Sequence, residues 1–139
     1  MTIVGLDTGF FIQLLGGLPE CQELWRDLIE DRARGIVACL TLSELRRLAL
    51  RGALEAGDVD LLLQAIQAIC EIVWLDHGEV LDMGARLSHG LALPLVDALI
   101  LASLISRSVR EIWTTDEDLT RYHRRGIRIR LLSSSRPGH

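Results

Sequence analysis

The chain has 139 residues, a formal net charge of −4 at pH 7, and a composition that is 49% hydrophobic but only 4% aromatic. The longest apolar run, 91–105, is interrupted by Pro94 and Asp97 and is shorter than the roughly 20 residues of a membrane span, so we expect no membrane segment. A strand-like segment begins at the second residue and leaves no room for a signal peptide, so we expect a cytoplasmic protein.

Hydrophobic periodicity, with Gly and Pro at the boundaries, divides the chain into five strands and seven helices. The predicted elements in chain order are a strand at 2–6, helices at 8–15 and 19–34, a strand at 35–40, helices at 41–51 and 58–70, a strand at 71–75, helices at 79–89 and 94–105, a strand at 111–115, a short helix at 118–124 and a strand at 127–131. We expect Thr41 or Ser43 to cap the third helix and Asp58 to cap the fourth.

Strands that alternate with helices predict an α/β protein. We expect a three-layer α/β/α sandwich with a central, mainly parallel sheet of about five strands. The length predicts one domain, residues 1–132, followed by a loose tail at 133–139. The last strand alternates Ile with Arg, which is typical of a half-exposed edge strand. Trp25, Trp74 and Trp113 lie among apolar residues and are expected in the core.

The cysteines and basic residues narrow the chemistry. Cys21, Cys39 and Cys70 are odd in number and far apart, so we expect small buried hydrophobes and neither a disulfide framework nor a zinc site. All 15 basic residues are Arg, and five of them lie within 121–130 without an acidic residue among them. A solvated surface is the usual interpretation of such a run. The patch also permits binding to a phosphate-bearing polymer.

Four acidic residues lie just after or beside short apolar runs: Asp7, Glu44, Asp97 and Asp116. Three of them follow a predicted strand or open a predicted helix. Because the carboxyl ends of parallel strands converge on one crevice, we expect the four side chains to meet there. Gathered carboxylates repel one another unless cations lie between them, so the pattern indicates a divalent metal site.

Each acid taken alone has a simpler explanation. Asp7, Asp97 and Asp116 suit a helix cap or a first helical turn, whereas Glu44 lies between two leucines of a mostly buried segment and is harder to explain as a cap. Only the combination favours a functional site. The triplet 7–9, Asp-Thr-Gly, also matches aspartic proteases, but that fold is all-β. The first strand is not followed by a Gly-rich phosphate loop.

Several of these segments together resemble a known family. The chain is similar to the PIN domain in Asp7-Thr8 after the first strand, in Ser43-Glu44-Leu45, in the stretch 93–102 around Asp97, and in Thr114-Thr115-Asp116. Within that family it looks most like the VapC-type toxins of toxin–antitoxin pairs. The resemblance covers nearly the whole chain, and its most specific part is the stretch around Asp97.

The resemblance implies a metal-dependent endoribonuclease. Asp7, Glu44, Asp97 and Asp116 fall on the family's catalytic and metal-holding acidic positions, and Asp118 looks like an accessory metal-site acid. Mg²⁺ or Mn²⁺ would activate a water molecule for in-line attack on an RNA phosphodiester. The candidates to hold the RNA backbone are Arg47, Arg51, Arg121, Arg124 and Arg125.

The resemblance also implies partners. We expect a small antitoxin that places a basic side chain near the acidic pocket, and a homodimer. The exposed faces of the helices at 19–34 and 58–70 are the candidate contact surfaces. Two other functions stay open: a PIN-like binding module without catalysis, and a nuclease of RNA processing that is not a toxin.

Overall fold

The structure is a computed structural model, and it describes residues 1–133. Its centre is one sheet of five strands in the order β3-β2-β1-β4-β5, and every neighbouring pair is parallel. The strands are β1 (Thr2–Leu6), β2 (Ala33–Ala38), β3 (Glu71–Val73), β4 (Glu111–Thr114) and β5 (Arg128–Leu131). The expected parallel sheet is therefore confirmed.

Six α-helices and one 3₁₀ helix connect these strands within residues 1–133. They are α1 (Thr8–Leu15), α2 (Pro19–Ile29), α3 (Cys39–Leu50), α4 (Ala56–Ile69), α5 (Gly78–Leu91), α6 (Leu95–Ile105) and the 3₁₀ helix Glu117–Arg121. None of the helices in the described part is long and apolar enough to cross a membrane.

Alternating side chains of the strands build two cores, one on each face of the sheet. In β2, Val37 packs into a core with residues of α1, α2 and α4, while Ile36 faces a second core with residues of α6. In β4, Trp113 belongs to the first core and Ile112 to the second. Helices therefore cover both faces, and the three-layer α/β/α arrangement follows from the two-residue period of the strands.

Some element boundaries differ from the predicted ones. Helix α2 ends at Ile29 and not near residue 34, because Asp31 takes a left-handed backbone conformation (φ 63°) and the chain enters β2 at Ala33. Helix α3 begins at Cys39, directly after β2, without the predicted side-chain cap. The cap of α4 is Glu55, whose carboxylate accepts from the backbone N–H of residues 57 and 58.

One tryptophan and the last predicted helix differ from the expectations. Trp74 is 54% exposed and outside the core, because the edge strand β3 ends one residue earlier, at Val73. Trp113 is buried, and Trp25 is partly buried against Phe11. The last predicted helix is a 3₁₀ helix that ends at Arg121. Of the predicted tail, all but Ser133 lies outside the described residues.

Tyr122 provides a test of the packing beneath the 3₁₀ helix. Its ring packs against the core on the α6 side, and its buried hydroxyl has no hydrogen-bond partner within residues 1–133. An unsatisfied buried hydroxyl costs about 1–3 kcal/mol. Tyr122→Phe is therefore expected to raise the free energy of unfolding, measured with urea, by about 1 kcal/mol. A loss of stability in this variant would show that the hydroxyl is satisfied in solution.

Candidate active site

The four predicted acids come from four elements and line one cavity of about 230 Å³. Asp7 follows β1 and Asp116 follows β4, both at the carboxyl edge of the sheet. Asp97 lies in the first turn of α6, and Glu44 lies on α3, which begins directly after β2. The structure thus places in one cavity side chains that are up to 109 positions apart in sequence.

Asp7 is the most buried of the four, with 7% of its surface exposed. It caps α1, because the Phe10 N–H donates to its Oδ1 at 3.1 Å, and the Thr114 hydroxyl donates to its Oδ2. Burial raises the pKa of Asp7 to about 7, and the charge of Asp116 adds to this effect, while the two hydrogen bonds oppose it. The cap and the cavity acid are therefore the same side chain.

Thr114 joins the acids at the ends of β1 and β4. Its hydroxyl donates to Asp7 and accepts from the Asp116 backbone N–H at 2.9 Å. Asp116 in turn caps the 3₁₀ helix, since its Oδ1 accepts from the Asp118 N–H at 2.9 Å. One hydroxyl thus sets the spacing between the two strand-end carboxylates.

Glu44 is oriented from α1 and from its own helix. The Thr8 hydroxyl donates to Glu44 Oε1, and the hydroxyls of Thr8 and Thr41 are 3.2 Å apart. Thr41 is fully buried. A hydroxyl has a single proton, so while Thr8 donates to Glu44 the hydrogen of the second bond must come from Thr41.

Asp97 shows that the acids are close enough to interact. Burial raises its pKa, and the charges of Asp116, Glu44 and Asp118 raise it further. The same effect of Asp116 on Asp7 means that negative charge is concentrated in one partly enclosed space. Such a space attracts cations.

The donors fit a hard divalent cation by type, because the polar lining includes four carboxylates and no sulfur or imidazole ligand. Within residues 1–133, however, no three His, Cys, Asp or Glu side chains are grouped tightly enough to hold one ion. Uncompensated carboxylates repel one another, and three of these four are held by Thr hydroxyls or backbone N–H groups. An ion would have to draw them closer together.

The predicted RNA-binding arginines lie in three places. Arg47 and Arg51 line the acidic cavity. Arg121 instead donates to the carbonyl oxygens of residues 91 and 92, at 3.1 and 3.0 Å, and pairs with Asp118 at 2.9 Å. Asp118 does not line the cavity, although its charge affects Asp97.

Arg124 and Arg125 lie elsewhere. They line a separate cavity with Met1 and Arg110, residues that precede β1 and β4. This is the amino edge of the sheet, opposite the acids. Their contact with RNA, and the roles of the four acids, stay predictions.

Sequence reasoning missed the residues that position the acids. A Cβ atom on Gly9 would lie 2.0 Å from Thr115 Oγ1, so only glycine lets α1 approach the segment that carries Asp116. Gly9, Thr8 and Thr114 all lie within the recognised Asp-Thr-Gly and Thr-Thr-Asp segments. The signal was present in the sequence, but only the acids were assigned a role.

The fold and the cavity define the class of protein. Residues 4–125 match the sequence profile of the PIN domain, and the chain belongs to that family. No curated protein sequence matches it.

Solved structures similar to the chain come from toxin–antitoxin complexes. VapBC-5 of Mycobacterium tuberculosis has 26% sequence identity and a TM-score of 0.60, with 95% of this chain and 100% of that chain covered. VapBC2 of Rickettsia felis, bound to a promoter DNA fragment, has 13% identity, a TM-score of 0.72 and the same coverage. A toxin–antitoxin complex from Klebsiella pneumoniae has 19% identity and a TM-score of 0.63, with 89% and 94% covered. The structures from Rickettsia felis and Klebsiella pneumoniae have low sequence identity to the chain, so they show a similar fold alone.

The burial of the Asp7 charge predicts a cost to the free energy of unfolding of the metal-free protein, and this cost depends on pH. The Asp7 pKa of about 7 in the folded state exceeds the value of about 3.9 in an unfolded chain. The cost is therefore fully present above the folded pKa and is relieved as the pH falls towards the unfolded value. An asparagine keeps the shape and an acceptor for the Phe10 N–H. We expect Asp7→Asn to raise the free energy of unfolding by on the order of 3 kcal/mol at about pH 8, and by much less at about pH 5.

Urea unfolding with EDTA at both pH values measures this difference. Asp82→Asn, which changes an exposed acid on α5, is the control and should alter stability little at either pH. An equal effect of Asp7→Asn at both pH values would contradict the assignment of the cost to the Asp7 charge.

Proposed function

We propose that the chain is a Mg²⁺- or Mn²⁺-dependent endoribonuclease and the toxin of a toxin–antitoxin pair. The observation that carries the proposal is the single cavity lined by Asp7, Glu44, Asp97 and Asp116. Membership of the PIN family supports a nuclease. The solved VapBC complexes that resemble the chain support the toxin role.

Each residue of the cavity has a proposed task. Asp7, Glu44, Asp97 and Asp116 would hold the ion, and Asp118 would act through its charge on Asp97. When bound, the ion supplies an activated water for in-line attack on the phosphodiester and charge to stabilise the leaving oxygen. Ion binding would displace the proton that Asp7 retains below its pKa of about 7.

The other groups of the cavity would orient the acids and the substrate. Thr114 holds the Asp7 carboxylate and the Asp116 backbone in register, and Thr8 holds Glu44. Arg47 lies on α3 and Arg51 is the C-cap of that helix, one turn further on, and both line the cavity, where their guanidinium groups would bind RNA phosphates. Leu48 and Ile12 contribute an apolar wall.

The antitoxin contact is proposed at an apolar groove. Leu14, Leu15, Trp25, Leu61 and Leu62 line a hollow of about 290 Å³ between α1, α2 and α4. Leu61 is 69% exposed there. An exposed apolar hollow of this kind fits an amphipathic segment of a partner. It involves α2 and α4, which are the two helices expected to carry partner contacts. The homodimer stays part of the proposal.

Asp97→Asn tests the catalytic assignment. Loss of even an outer-shell partner of a metal costs about 10–100-fold in metal affinity or activity, so loss of a proposed ligand should lower RNA cleavage at least about 100-fold. Cleavage of a fluorescent RNA with Mg²⁺ or Mn²⁺ measures the rate. Asp82→Asn is the matched control and should cleave as the unaltered chain does. Cleavage by Asp97→Asn at the unaltered rate would show that the site is wrongly assigned.

Thermal unfolding with Mn²⁺ separates a nuclease from a binding module without a metal site. A ligand that binds only the folded state stabilises it by about 2.7 kcal/mol at a concentration of about 100 times its dissociation constant. We expect the unfolding midpoint to rise by several degrees with Mn²⁺ in the unaltered chain and in Asp82→Asn, and by clearly less in Asp97→Asn. The same midpoint with and without Mn²⁺ would favour the silent module.

A further inference from the structure

A second charged feature lies at the opposite edge of the sheet. A cavity of about 510 Å³ is lined by Met1, Ser108, Arg110, Arg124 and Arg125, among others. A second hollow of about 440 Å³ shares Arg124, Arg125 and Ile127 with it and adds Tyr122 and His123. The two hollows therefore adjoin, and we name the surface formed by Ser108, Arg110, His123, Arg124 and Arg125 the basic groove.

Within the described residues 1–133, the arginines of the basic groove differ from most others in having no acidic partner. Residues 1–133 contain 14 arginines, and eight of them pair with carboxylates. The six without such a pair in this part of the chain are Arg26, Arg47, Arg51, Arg110, Arg124 and Arg125. Two of these line the acidic cavity, and three line the basic groove. Unpaired guanidinium groups are thus concentrated in two places.

The backbone holds this positive charge in position. The Arg110 N–H donates to the Ile3 carbonyl at 2.8 Å, and the Arg110 carbonyl accepts from the Arg128 N–H at 2.9 Å, so this residue is fixed between β1 and β5. Arg124 and Ile127 form an antiparallel bridge that closes a tight turn through Gly126, whose φ is 90°. These backbone contacts hold Arg110 and Arg124 at the amino edge of the sheet.

Three unpaired guanidinium groups close together repel one another, and a polyanion relieves this repulsion. Two joined hollows that share a pair of arginines suit an extended chain of phosphates better than one small anion. His123 is exposed beside them, and Tyr122 lines the same hollow. The Tyr122 ring itself packs against the core, so His123 is the ring of this surface that a base could stack on.

We propose that the basic groove binds the phosphate backbone of single-stranded RNA at a site separate from the acidic cavity. This inference rests on the proposed ribonuclease function, which supplies RNA as the polymer. The two sites lie at opposite ends of strands such as β1, about 17 Å apart at roughly 3.3 Å per residue. Only an RNA long enough to pass from one edge of the sheet to the other can occupy both, so the groove would favour long substrates over short ones.

The test is RNA binding by the full chain with EDTA, which keeps cleavage off, measured by fluorescence anisotropy. The probes are an unstructured RNA of about 20 nucleotides, longer than the roughly 4–16 nucleotides that such sites cover, and one of about four nucleotides. In the altered chain Arg110, Arg124 and Arg125 are each replaced by Gln. The control replaces Arg26, Arg46 and Arg86 by Gln, which removes the same charge from positions that line neither site.

The slope of log K against log salt is negative, and for a single strand each lost phosphate contact reduces its magnitude by about 0.7. With the long RNA, the magnitude of the slope should therefore fall by about two in the groove triple variant. This variant should also bind the long RNA about 10–100-fold more weakly at low salt. The control should keep the slope of the unaltered chain, and the short RNA should show a much smaller effect. Arg125→Gln alone, the mildest change, should reduce the magnitude of the slope by about 0.7.

Three results would overturn the inference: an unchanged slope in the groove variant, an equal loss in the control, or a loss seen with duplex DNA and not with RNA. The outcomes also separate the two proposals. Cleavage by the unaltered chain together with an unchanged slope in the groove variant contradicts the basic groove alone. A groove-dependent slope without metal-dependent cleavage supports RNA binding at the groove and contradicts the nuclease.

Discussion

The buried carboxylate of Asp7 is the constraint around which the acidic cavity is organised. It receives hydrogen bonds from α1 through Phe10 and from β4 through Thr114. A single side chain therefore connects the central strand β1, the helix α1 and the neighbouring strand β4. Burial raises its pKa to about 7, which means that the fold disfavours the charged form of this side chain. A site that costs stability without its ligand is common where function requires concentrated charge.

The remaining acids depend on the same contacts. Thr114 ties the backbone of Asp116 to Asp7, and Gly9 allows Thr115 to approach α1 closely. Asp97 projects from the first turn of α6, whose apolar residues fill the core on the other face of the sheet. Positions on both faces of the sheet therefore converge on one edge. Their mutual repulsion, seen in the raised pKa of Asp97, is the physical reason to expect a cation there.

A parallel sheet also separates charge by edge. Every strand runs in the same direction, so residues that follow the strands lie at one end and residues that precede them lie at the other. In this chain the cavity acids Asp7 and Asp116 follow β1 and β4, whereas Arg110, Arg124 and Arg125 precede β4 or β5. A net charge of −4 conceals this separation, because a sum over the sequence contains no information about position. The sequence predicts one patch of arginines at 121–130, but Arg121 donates to carbonyl oxygens at the end of α5 and Arg130 stacks on Trp113.

The sequence by itself determined the order and type of the elements, because hydrophobic periods of two and of about 3.6 residues are local properties. It also indicated which acids line one cavity, but it predicted a cluster that shares a cation, and no three of these acids are grouped that tightly within residues 1–133. Only the tertiary structure decided the rest. Glu55 caps α4 and Trp74 lies outside the core because boundaries depend on where the sheet ends, and Thr114 and Gly9 acquire roles only through contacts with residues more than 100 positions away. Such contacts leave no periodic signal, so the partners of a side chain, and thus its charge state, had to come from the folded chain.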